Sequence, residues 1–142
     1  MRNGRIVLLI AFVVIACRED VESSYRTYRQ AEADGAISRG WLPAWLPPTA
    51  TEIREWHDLD TNATFASFIY GTAEPRKFLA TCHRTSPTPL PAQRRWRLNT
   101  GERSRLQFYR CDEKTTFADG RAEARATWVA IDHARTKAYF WR

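Results

Sequence analysis

The sequence predicts a single α+β domain, an antiparallel sheet of four to six strands covered by an amino-terminal amphipathic helix. Three observations lead there. Residues 19–33 carry apolar side chains at helical spacing, and the final third alternates as strands joined by short links. The remaining length is enough for one hydrophobic core and no more.

Glu19 to Ala33 contains no glycine or proline, and Val21, Tyr25, Tyr28 and Ala31 fall on one helical face. Glu19, Asp20 and Glu22 suit the positive end of a helix dipole, and Gly35 stands where a helix stops. Trp41, Leu42, Trp45 and Leu46 follow in a loop whose prolines at 43, 47 and 48 forbid a regular ladder. That much apolar surface, at ~25 cal/mol per Å², must pack on the core or on a partner.

Thr51 to Asp58 and Phe65 to Tyr70 read as strands around a turn at Asp60-Thr61-Asn62, residues that bend the chain by bonding their own backbone. Pro75 opens a short helix running to Cys82, and Pro87, Pro89 and Pro91 make an extended loop. Strands are expected at Arg94 to Leu98, Arg103 to Cys111, Arg121 to Ile131 and Thr136 to Trp141. The last two face each other across Asp132-His133-Ala134-Arg135.

Ahead of the domain, Met1 to Arg5 is a positive flank and Ile6 to Ala16 is wholly apolar. Such a run is about half the roughly 20 residues a membrane-spanning helix needs, so it reads as a signal-peptide core. Val14-Ile15-Ala16-Cys17 resembles a lipobox. The resemblance implies lipidation of Cys17 and cleavage after Ala16. It divides the chain into a signal peptide (1–16), a lipidated cysteine with a short tether (17–23) and the domain (24–142). Arg18 stands where lipoproteins retained at the inner membrane resemble one another in carrying Asp. The expected location is therefore the cell envelope, on the outer membrane facing the periplasm where two membranes exist.

Removal of residues 1–16 leaves twenty basic against sixteen acidic residues, a net charge of +4. Arginine supplies nearly all the excess, and its planar fork suits carboxylates and phosphates. Outside the cytoplasm the polyanions are lipid headgroups and wall polymers, and nucleic acid is excluded as a partner. Cys82 and Cys111, an even pair in an oxidising compartment, read as a disulfide. No cofactor is implied.

The string Gly35-Ala36-Ile37-Ser38-Arg39-Gly40-Trp41-Leu42-Pro43, then Leu46-Pro47, Ala50, Ile53, Glu55 and His57-Asp58-Leu59-Asp60-Thr61-Asn62, resembles a signature of small, often lipoprotein-type bacterial proteins, the YbbD head domain group. A looser likeness extends to Tyr109-Arg110-Cys111 and Ala138-Tyr139-Phe140-Trp141. The resemblance implies a shared fold and no established chemistry.

His57 to Asn62 is the most polar segment, and it admits several readings. Asp58, Asp60 and Asn62 match the first ligands of a calcium loop, but Ala63 replaces its turn glycine and Ile69 its bidentate glutamate. His57 could be a general base held by Asp58 or Asp60, yet no nucleophile motif accompanies it. His57, His83 and His133 lack zinc-site spacing. The stronger reading is architectural: Asp58 and Asp60 cap a turn, and His57 or Glu55 pairs with an arginine such as Arg39.

If the segment is instead a recognition surface, Arg39, Trp41, His57 and Asp60 carry it, an arginine beside a tryptophan being a common anchor pair. A second candidate is the basic run Arg94 to Arg105. Arg95 and Arg97 there share one face of a strand, to guard a sheet edge or to touch anionic headgroups. The expectation is a non-catalytic envelope lipoprotein, a membrane-tethered binding module for an envelope protein, an anionic headgroup or a wall polymer. The alternatives are an inhibitor or immunity lipoprotein against a toxin or wall hydrolase, and a hydrolase using His57.

Overall fold

The computed structural model describes residues 20–87, 98–116 and 122–142, the side chains of 113–116 and 122–124 excepted. The expected signal peptide, Cys17, and Arg94, Arg95 and Arg97 lie outside the described residues.

The amino-terminal segment is a strand and not the expected helix: β1 spans Asp20–Thr27. Ser23 and Ser24 are poor helix interior residues, and pairing of the segment with the next strand outweighs its apolar spacing. Residues 20–23, expected as tether, are therefore part of the sheet. The helix α1 is reduced to Tyr28–Ala33, capped by Thr27, whose hydroxyl accepts from the Gln30 amide at 3.4 Å.

Beyond α1 come β2 (Thr51–Asp58), β3 (Thr64–Ile69), α2 (Pro75–Phe78), β4 (Cys82–Thr85), α3 (Thr100–Arg103), β5 (Gln107–Thr116), β6 (Ala122–Asp132) and β7 (Lys137–Trp141). One seven-stranded antiparallel sheet runs in the order β1-β2-β3-β7-β6-β5-β4. It exceeds the expected four to six strands because β1 and β4 both join it. The expected α+β class is thus corrected to a mainly β fold with three short helices among the described residues. The helix expected from Pro75 to Cys82 ends at Phe78. Arg103, expected to open a strand, instead closes α3, which is built on a capping box of Asn99 and Glu102.

Alternation divides the sheet's side chains between two faces. Ile53, Ala66, Phe68, Val129, Ile131, Ala138 and Phe140 form one core with α1 and the loop that follows it. Phe65, Phe108, Ala130, Tyr139 and Trp141 form a smaller one on the opposite face, closed by Leu106. The first core is covered mainly by residues 34–50, with Ala31 of α1 and Phe78 of α2, and not by one long amino-terminal helix. Gly35, at φ 78°, ends α1 in a left-handed turn that lets the Ala36 amide reach the Ala31 carbonyl at 3.0 Å. Leu42, Leu46 and Ala50 then descend into the core. Trp45 wedges between Phe78, stacked at 5.6 Å, and Phe140, met edge-on at 5.6 Å.

Cys82 and Cys111 are disulfide-bonded partners in the β4–β5 register, with Cα atoms 4.1 Å apart. The bond ties the four-residue edge strand β4 to a buried cysteine of β5. Replacing both cysteines by alanine should lower unfolding free energy by about 2–5 kcal/mol in a denaturant titration. A loss below about 1 kcal/mol would show that β4 holds its place without the cross-link.

Candidate functional site

The inward face of β2 carries Ile53, Glu55 and His57 at successive alternate positions, all fully or almost fully buried. The first is apolar; the next two are an acid and an imidazole. Glu55 Oε1 lies 2.6 Å from His57 Nδ1, while Glu55 Oε2 and His57 Nε2 are buried with no hydrogen-bond partner among the described residues.

Burial decides their protonation. It pushes the Glu55 carboxyl up to about 8, against the opposing pull of the Arg39 charge, and Asp34 adds to the rise. Burial, and then the Arg39 charge, hold His57 below its ordinary value. At neutral pH the pair therefore holds one proton on the carboxyl, which donates to Nδ1 of a neutral ring. The ring's own proton is then on Nε2, and His57 is a donor on its far side.

Trp41 covers the pair. Its ring stacks on His57 at 3.9 Å between centroids with planes 18° apart, and the Arg39 guanidinium lies 4.0 Å from the Trp41 centroid. Arg39 in turn donates to Asp34 at 3.2 Å, as does the Tyr25 hydroxyl at 2.7 Å, so one carboxylate ties β1 to the covering loop. Arg39 therefore pairs with Asp34, and in place of the arginine expected as their partner, Glu55 and His57 meet each other as a neutral hydrogen-bonded pair. Gly40, at φ 78°, aims its carbonyl at Arg142, whose Nη2 donates to it.

The β2–β3 turn is organised by Asp58, and Asp60 does not cap it. Asp58 Oδ1 accepts from the Asp60 and Thr61 amides, both at 2.9 Å. Those amides hold the Asp58 carboxyl below its usual range. Asn62 takes the left-handed turn position at φ 56°.

These elements meet at one end of the sheet around a cavity of about 290 Å³ lined by Arg39, Trp41, His57, Asp58, Arg125 and Arg142, among others. Arg142 is fixed there by the end of β7, its amide and carbonyl both pairing with Thr64 at 3.1 Å. Of the expected recognition residues, Arg39, Trp41 and His57 come together and Asp60 stays outside the lining, exposed on its turn. Reading the sequence missed Glu55 as the buried partner, and it missed Arg125 and Arg142. The alternation Ile53-x-Glu55-x-His57 carried a signal for the first. The two arginines carried none, since they are far from the signature in sequence.

Among the described residues the cavity lining contains no serine or cysteine, and its one side-chain hydroxyl is that of buried Thr64. Among the described residues no group of three His, Cys, Asp or Glu side chains is arranged to hold a metal ion. Of the second basic candidate, Arg105 lies 3.8 Å from Asp132 and Arg103 falls in α3.

The Glu55–His57 pair ties stability to pH. Unfolded, the two groups ionise near 4.5 and 6.5, whereas the folded pair keeps a proton up to about 8. Between pH 6.5 and 8 the folded state thus binds more protons, and stability falls as pH rises, by up to about 1.4 kcal/mol per pH unit. Glu55→Gln keeps a donor for Nδ1 and should flatten that slope in denaturant titrations at successive pH values. An equal slope in the variant would assign the dependence to other groups.

No curated protein and no solved structure matches the chain. The likeness at Tyr109 to Cys111 and Ala138 to Trp141 lies outside the one stretch that a family model covers, and so do Arg125 and Arg142. Residues 19–69, which hold β1, α1, the covering loop with Arg39 and Trp41, and β2 and β3 with the Glu55–His57 pair, match the family model of the YbbD head domain.

Proposed function

We propose that this protein is a non-catalytic envelope lipoprotein, a small recognition module anchored through Cys17, whose binding site is the cavity beside the Arg39–Trp41–His57 stack. The observation that carries the reading is the stack itself. Three polar or amphipathic side chains from β2 and its covering loop are locked together at the rim of a cavity, an arrangement the hydrophobic core does not require. A site held rigid before its ligand arrives suits binding, because little side-chain freedom is left to lose.

Catalysis is the weaker reading. A general base needs a proton to take from a nucleophile, and among the described residues the lining offers no serine or cysteine beside His57. The Glu55 carboxyl, protonated near neutrality, also lacks the negative charge that would stabilise an imidazolium.

Two measurements bear on the two halves of the proposal. Cys17→Ser should abolish incorporation of a palmitate analogue and move the protein out of the membrane fraction; unchanged labelling or fractionation would remove the anchor. Arg39→Gln, which keeps the side-chain bulk, should reduce capture of envelope components by the lipidated protein at least several-fold. Capture at the wild-type level would remove the stack from the site.

A further inference from the structure

The two edges of the sheet are closed differently. On one side stands β4, four residues long and cross-linked to β5. On the other stands β1, eight residues long and without proline or lysine, two of the devices that keep natural edges from pairing. Its side chains are exposed apart from Ser23 and Tyr25, which are half-buried. At its far end the Arg26 amide donates to Gln30 Oε1 at 2.8 Å, which leaves residues 21–25 as the stretch open to a further strand.

The order of side chains along β1 complements itself about Ser23. In an antiparallel pair of β1 strands with Ser23 opposite Ser23, Val21 meets the second copy's Tyr25 and Asp20 meets the second copy's Arg26. The two-fold axis makes each of these pairs twice. Glu22 falls opposite Ser24 and diagonal to the same arginine. Opposite charges, and an aromatic ring against a β-branched side chain, are pairs that stabilise such ladders. Arg26 has no ion partner among the described residues, and Asp20 accepts from Trp56 Nε1 at 3.4 Å through one oxygen, which leaves the other. Val21, 37 % exposed, would leave water on pairing. Centring the pair on Glu22 sets two carboxylates face to face, and centring it on Ser24 carries Asp20 past the end of the strand to Tyr28 of α1. Ser23 is therefore the favoured centre.

We propose that two copies of this chain pair through β1 in an antiparallel ladder centred on Ser23, which joins their seven-stranded sheets into one continuous sheet. The axis runs normal to the sheet, so both copies turn the same face to one membrane. A ladder over residues 21–25 is a small contact, and chains held in one membrane by the anchor proposed above meet at a high effective concentration. The Cys17→Ser fractionation tests that anchor separately, and the pairing draws on no property of the cavity.

The test cross-links the full chain in its own membranes. Residues opposite each other across such an axis have Cα atoms about 4.5–5.5 Å apart, within reach of a disulfide, so Ser23→Cys should form a covalent dimer under mild oxidation. Ser24→Cys should link at least fivefold less, and Thr100→Cys on α3 should give only the collisional background. In the Ser23→Cys chain, adding Asp20→Arg or Arg26→Asp alone should cut the linked fraction at least fivefold.

Chains carrying one reversal each, produced together, should link to each other at near the level of Ser23→Cys alone, because every arginine again meets an aspartate. That recovery separates a lost pairing from simple misfolding. Linking at Ser23→Cys no stronger than at Thr100→Cys overturns the proposal. Stronger linking at Ser24→Cys overturns the register, and losses that co-production does not restore overturn the charge pairing on which it rests.

Discussion

Burying a carboxyl beside an imidazole on the inward face of β2 is the constraint from which the amino-terminal half is built. Neither group can keep a charge there cheaply, and each needs a partner if it is not to be an orphan in the core. The 2.6 Å contact between Glu55 and His57 answers both requirements with one shared proton. It also demands a lid. Trp41 provides one by stacking on the imidazole, and Trp41 is brought there by the first part of the covering loop, which turns through left-handed glycines at 35 and 40. Arg142, from the other end of the chain, fastens that loop through the Gly40 carbonyl. Thus the polar pair, the aromatic lid and the carboxy-terminal arginine form one dependent arrangement.

The same arrangement shapes the surface. Because β1 enters, β2 and β7 finish, and β3 begins at one end of the sheet, residues distant in sequence line one cavity. Arginines from the covering loop, from β6 and from the end of β7 meet there the turn carboxylate of Asp58.

What could be read from the sequence follows from which forces are local. Strand alternation over Thr51 to Asp58 and across the carboxy-terminal hairpin, and the turn chemistry at Asp58 and Asp132, depend on neighbours and were legible. The even cysteine pair was also legible, and it proved to be a cross-strand disulfide between β4 and β5. The error at residues 20–33 has a different origin. Val21, Tyr25 and Tyr28 fit helical spacing, but the segment's energy comes from a ladder with β2, a partner some thirty residues away that no local window contains. Arg39, Trp41 and His57 stood out as a group because two are neighbours and the third lies in the same signature. Arg125 and Arg142 could not, since only the order β3-β7-β6 brings them to the same sheet end.

The central claim, that a protonated Glu55 fixes the proton of a neutral His57 on Nε2, is tested most directly by long-range ¹H–¹⁵N correlation spectra of the imidazole across pH. The account predicts a neutral ring protonated at Nε2 at pH 7, with its pattern changing as Glu55 ionises near pH 8. An imidazolium at pH 7, or a ring protonated at Nδ1 throughout, would contradict it.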